Sequence, residues 1–136
     1  MIPGYKDMLL KVLRLLENGS EVKRRDIIEK LANYYKEHPD FKMSEEERNK
    51  FYTKSGTNIF NFRVGWTIWH LKISNLLERV NIGTIKITEK GKKLLSSIPS
   101  IITDSEFADL IDKDTDHIEF IKNMEALRKA RKKREK

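Results

Sequence analysis

The stretch Asn58 to Gly91, NIFNFRVGWTIWHLKISNLLERVNIGTIKITEKG, constrains the fold more than any other part of this chain. From Ile59 to Ile73 it runs at a helical period without a Pro, and it then breaks at Ser74-Asn75. Leu76-Leu77-Glu78-Arg79-Val80 and Thr84-Ile85-Lys86-Ile87-Thr88 alternate as two strands should. Between them lies the turn Asn81-Ile82-Gly83, whose glycine suits a positive φ. Thr88 is the expected N-cap of a further helix that opens on Glu89-Lys90-Gly91.

The residues upstream supply matching parts. Tyr5 to Glu17 repeats apolar side chains at Met8, Leu9, Val12, Leu13, Leu15 and Leu16, and Asn18-Gly19 supplies a stop. Ser20-Glu21-Val22 is short and β-prone, and Ile27, Ile28, Leu31, Ala32, Tyr34 and Tyr35 form a second helical stripe. Helix, short strand, helix, helix, hairpin is the order of elements in a winged helix-turn-helix. The expected fold is therefore mainly α with a small β-hairpin, and the helix over 59–73 stands where such a fold reads DNA.

Two regions fall outside that plan. Residues 36–57 form a long connection, broken by Pro39, with a capping box at Ser44-Glu45-Glu46-Glu47 and a turn at Lys54-Ser55-Gly56-Thr57. Beyond Ser96-Ser97-Ile98-Pro99 the composition shifts, which sets a winged-helix DNA-binding domain at 1–96 and a linker with a helical arm at 97–136. In the arm, Asp104 to Ile111 is one short helix, and Ile118, Ile121, Met124 and Leu127 mark a second that ends in the basic run Arg128 to Lys136.

A formal charge of +7 and a pI near 9.5 make nucleic acid the first partner to consider. The surplus lies in residues 1–96, with 19 Lys/Arg against 12 Asp/Glu, whereas 97–136 hold 9 of each. Without cysteine there are no disulfides, thiolate metal sites or thiol nucleophile. No signal peptide and no apolar run near the length of a membrane span is present, and the chain reads as soluble and cytoplasmic. His38, His70 and His117 lack metal-ligand spacing. Asp112-Lys113-Asp114-Thr115-Asp116 resembles a calcium loop, but His117 and Asn123 occupy the positions that need Gly and a bidentate acid. With no nucleophile triad or phosphate loop either, the expectation is a binding protein without cofactor or metal, not an enzyme.

For double-stranded DNA the candidate contacts are Lys23, Arg24 and Arg25 before helix two, Asn58, Asn61, Arg63 and Lys72 on the 59–73 helix, and Arg79, Asn81 and Lys86 in the wing. The basic triplet opposes the dipole of its own helix by a few tenths of a kcal/mol, which fits either a phosphate-binding role or a solvated corner. Arg63 and Asn61 suit guanine and adenine edges, with a structural, ion-paired Arg63 as the other reading. The same helix carries a core stripe, Phe60, Val64, Thr67 and Leu71, and a second apolar face, Phe62, Trp66, Trp69 and Ile73. Left bare, that second face is an aggregation liability. Phe107 and Leu110 of the arm are the expected cover, packing in the same chain or exchanging between two chains in a homodimer.

Leu10 to Leu16, SEEER at 44–48, SG at 55–56, FRVGW at 62–66, LLER at 76–79 and GTIKITEKGKKLL at 83–95 resemble the N-terminal domain of Mrr-type restriction endonucleases. The resemblance covers about residues 3–96, the long connection included. It implies a winged-helix module that directs a restriction system to a DNA sequence or modification and is normally fused to a PD-(D/E)xK nuclease. The segment after Pro99 is too short for that nuclease, which makes a nuclease domain or subunit a candidate partner. Phe62, Ile68 and Trp69 stand where the family pattern has polar side chains, and Ser74-Asn75 stands where it has Ala-Gly. A stand-alone transcriptional regulator and a protein–protein dimerisation module are the alternatives.

Overall fold

The computed structural model describes residues 1–134, so the last two residues of the basic terminus lie outside the described residues. In chain order the elements are α1 (Tyr5–Leu15), β1 (Val22–Lys23), α2 (Arg24–Glu37), α3 (Glu45–Arg48), α4 (Ile59–Ile73), β2 (Leu77–Asn81), β3 (Thr84–Ile87), α5 (Glu89–Ser97), α6 (Asp104–Asp112) and α7 (Thr115–Arg134). The fold is thus mainly α, with one small antiparallel sheet of strand order β1-β3-β2.

Local chemistry sets most of these limits. The Asp7 carboxylate accepts the Gly4 N–H at 2.8 Å at the start of α1, and Gly19, at φ +84°, turns the chain after it. Ser44 and Glu47 form the reciprocal capping box of α3, at 3.1 and 3.0 Å. Thr88 Oγ1 accepts the Gly91 N–H at 3.1 Å and starts α5. In the hairpin Leu77 pairs with Ile87 and Arg79 with Ile85, a bulge follows between Arg79 and Asn81, and Gly83 turns at φ +74°. At Gly91 a side chain is excluded altogether: a Cβ would meet the Leu76 carbonyl and lie 2.6 Å from Ile87 Cγ1.

The long connection braces the start of α4. Arg48 Nη1 donates to Asn58 Oδ1 at 3.0 Å, Asn58 Nδ2 donates to the Arg48 carbonyl at 2.8 Å, and the Ile59 N–H reaches the Lys50 carbonyl at 3.0 Å. Asn58 is also the N-cap, accepting the Asn61 N–H at 2.9 Å. A plain three-helix domain has no such brace.

Helix α1 lies at the centre, in contact with α4 on one side and α6 on the other. Met8, Leu9, Val12 and Leu13 are buried there with Ile27, Leu31, Phe60, Val64 and Leu71, and Phe107, Ala108 and Ile111 of α6 belong to the same core. Helices α6 and α7 therefore fold back onto the first unit in the same chain. Among the described residues no helix is long and apolar enough to cross a membrane.

Candidate nucleic-acid interface

The basic triplet, the hairpin turn and the middle of α4 meet on one face. Lys23, Arg24 and Arg25 are exposed, and with Ile28 they line a shallow cavity against Ile82, Gly83 and Thr84 of the hairpin. The Arg24 N–H donates to the Gly83 carbonyl at 2.8 Å, which ties the start of α2 to the hairpin turn. The Arg24 guanidinium lies over Gly65 of α4, with its Cζ 3.0 Å from where a Cβ would stand. A glycine in the middle of a helix is destabilising by about 0.5–1 kcal/mol relative to Ala, so its presence here needs a reason of this kind.

That contact yields a clean prediction. Gly65→Ala displaces only the far end of a flexible side chain, so the helix gains about 0.5–1 kcal/mol while Arg24 loses its seat. Denaturant midpoints are expected to rise, which separates the placement of Arg24 from stability.

The other candidates have different surroundings, and several are already engaged. Arg63 is half-buried, with Nη1 donating to the Ile2 carbonyl at 3.0 Å and to that of Pro3 at 3.5 Å. It thereby ties down the segment before α1, and its anchors are backbone carbonyls rather than an acid. Asn61 is half-buried too, its Oδ1 sealed from solvent without a partner. It shares with Arg25, Lys36, Met43 and Arg48 a groove of about 500 Å³ between α2, α3 and α4. Asn58 is held by its capping duties. Lys72, in the last turn of α4, borders a cavity that also carries Asp116 and Glu119. Arg79 and Asn81 are exposed on β2, and Lys86 faces Glu78 across the hairpin at 3.4 Å, a surface pair worth little by itself.

The second apolar face of α4 is only partly covered. Ile73 is buried, and Trp69 is half-buried with Phe120 of α7 edge-on at 5.8 Å. Phe107 is fully buried, but against α1, and Leu110 stays exposed. Phe62 and Trp66 remain open, at 49% and 40% exposure.

Sequence reasoning missed two groups that dock the arm. His70 Nδ1 lies 3.0 Å from His117 Nε2 in a buried pair between α4 and α7, with Tyr5 stacked on His70 at 4.3 Å. No spacing rule links two histidines so far apart in the chain. Lys90 Nζ donates to the Ser74 carbonyl at 2.7 Å, to Asp114 at 2.9 Å and to Asp116 at 2.8 Å. Partial burial opposes its charge, but the two carboxylates outweigh that and hold Lys90 above its ordinary pKa. Asp116 is held below the usual carboxylate range by the same contact with Lys90, helped by Asn75. Asp114 and Asp116 therefore serve a lysine of α5, while Asp112 lies 3.7 Å from Lys6 of α1.

Comparison with known proteins agrees with the geometry as far as it reaches. No curated protein and no solved structure matches the chain. Residues 5–97 match the family model of the Mrr N-terminal domain, and no nuclease domain is found. That match spans well over half of the 136 residues and ties the protein to Mrr-type restriction systems: the chain belongs to the Mrr N-terminal domain family.

Proposed function

We propose that this chain is a winged-helix module that binds double-stranded DNA, directed by sequence or modification, as the specificity domain of an Mrr-like restriction system in the cytoplasm. The observation that carries this reading is the meeting of Lys23, Arg24 and Arg25 with the hairpin turn, and of Arg24 with Gly65 of α4. Cations from neighbouring elements on one face collect phosphates along a duplex, while α4 enters the major groove and the hairpin lies along the backbone. Lys72, Arg79, Asn81 and Lys86 extend the contact, and Asn58, Asn61 and Arg63 shape the start of α4 within it. Binding makes or breaks no bond, so cleavage falls to a nuclease domain or subunit.

The test is fluorescence anisotropy on a labelled duplex over a series of salt concentrations. Affinity is expected to fall with salt at a log–log slope of about 0.9 per phosphate neutralised. Arg24→Ala and Arg25→Ala are each expected to lower that slope by about 1, with the weakening uniform across sequences. No binding by the unmodified chain at low salt overturns the proposal. The open Phe62 and Trp66 rings favour a second reading, pairing with a second copy of the chain, for which a dimer in sedimentation is the readout.

A further inference from the structure

Helix α4 stands where a base-reading helix belongs, yet its hydrogen-bonding side chains before Lys72 are turned inward or to other work. Arg63 holds the carbonyls of Ile2 and Pro3, Thr67 Oγ1 donates to the Arg63 carbonyl at 2.8 Å, and His70 faces His117. Asn61 Oδ1 is sealed inside. Direct readout in the major groove needs donors and acceptors aimed at base edges, and the open part of this helix offers rings instead. Phe62 and Trp66 are one turn apart, so they share a face, and Gly65 between them seats the Arg24 guanidinium.

The rings are held, not loose. Trp66 lies parallel to Trp69 at 4.7 Å with 6° between the planes, and Tyr5 meets it edge-on at 6.4 Å. Tyr52 meets Phe62 edge-on at 5.7 Å. An aromatic surface fixed in this way loses little freedom when a flat ligand stacks on it. The Arg24 guanidinium sits over Gly65 of the same helix, Lys23 and Arg25 line the cavity beside Arg24, and this charge selects a polyanion. Rings for bases beside cations for phosphates is the combination that binds unstacked nucleotides, and apolar wedges of this kind also part base steps in duplexes.

Resting on the DNA-binding reading above, we infer that the Phe62–Trp66 face is a stacking site for unpaired nucleobases. The chain therefore prefers DNA that carries an extrahelical or single-stranded base over a continuous duplex. The rings take any base, because each has a π-face, so this preference follows structure rather than sequence.

The experiment compares the full chain on a labelled continuous duplex and on the same duplex with a three-adenine bulge, at one salt concentration. Base stacking of this kind predicts affinity for the bulged duplex about ten-fold tighter or more, together with quenching of tryptophan emission by that duplex. Trp66→Ala is expected to bring the ratio of the two affinities to about one, and Trp66→Phe to keep most of it. Circular dichroism of each variant checks that α4 is intact. Equal affinity for the two duplexes in the unmodified chain overturns the inference and leaves the DNA-binding reading standing. Binding to neither at low salt overturns both. A dimer that Trp66→Ala dissociates makes the face a subunit contact and also overturns the inference.

Discussion

Phe107→Ala is expected to destabilise the whole chain by about 3–5 kcal/mol, as much as the same truncation at Phe60 in α4. Both rings are completely buried, and Phe107 packs from α6 onto α1 in the core that also holds Met8, Leu13 and Leu71. A core truncation removes the transfer free energy of the ring and leaves a cavity, because α1 is also packed against α4 and relaxes only partly into the space. If 97–136 were a separate arm, its loss would leave the unfolding of 1–96 unchanged. The structure favours the opposite proposal, that α6 completes the domain and unfolds with it. Urea unfolding followed at the helical signal decides the matter. One shared transition shifted to a lower midpoint is expected, and a separate early transition that leaves the main one in place rules out the shared core.

What was legible in the sequence was what is local. The limits of α4 follow from an unbroken helical period that ends at Ser74-Asn75, where Asn75 takes φ +58°. The hairpin, the Ser44 capping box and the Thr88 cap follow from turn and cap chemistry over a few residues. Periodicity also revealed that α4 has two apolar faces, since composition around a helix needs no knowledge of what lies opposite. It did not reveal what covers them. Phe107 went to α1 while Phe120 went to Trp69, and only three-dimensional packing chooses between such partners. The functional reading of Arg63 met the same limit. Arg63 is an exposed-looking cation on a polar edge, but the carbonyl it binds belongs to Ile2, sixty-one positions away. Among the candidates, Lys23, Arg24 and Arg25 stand out in the sequence alone, because basic side chains at a helix N-terminus oppose its dipole, whereas the seat of Arg24 over Gly65 is set by the tertiary fold.

The buried histidine pair gives the second large effect, an acid-sensitive seam between α4 and α7. With the ring nitrogens 3.0 Å apart, one donates and the other accepts, so the accepting nitrogen must be unprotonated. Burial pushes His70 down to about 4, the field of His117 adds to this, Asp112 of α6 opposes it and Lys6 of α1 contributes weakly in the same direction as burial. On the α7 side the backbone N–H of His117 donates to Asp114 Oδ1, and Asp114 is ion-paired with Lys90 of α5. Because the folded pKa lies below the unfolded value of about 6.5, the unfolded chain binds more protons between the two. Stability is therefore complete above about pH 6.5 and falls as the pH drops toward 4, by on the order of 2 kcal/mol at pH 5. Asp104, whose burial raises its pKa, works weakly against this trend but only in the carboxylate range, and Asp116 adds to the loss only below it. Urea midpoints at about pH 7.5 and pH 5 measure the difference, and His70→Gln is expected to flatten it by removing the titrating group. An equal pH dependence in the variant assigns the acid sensitivity elsewhere. With the dependence gone, the acid sensitivity of the fold is set by the protonation of His70.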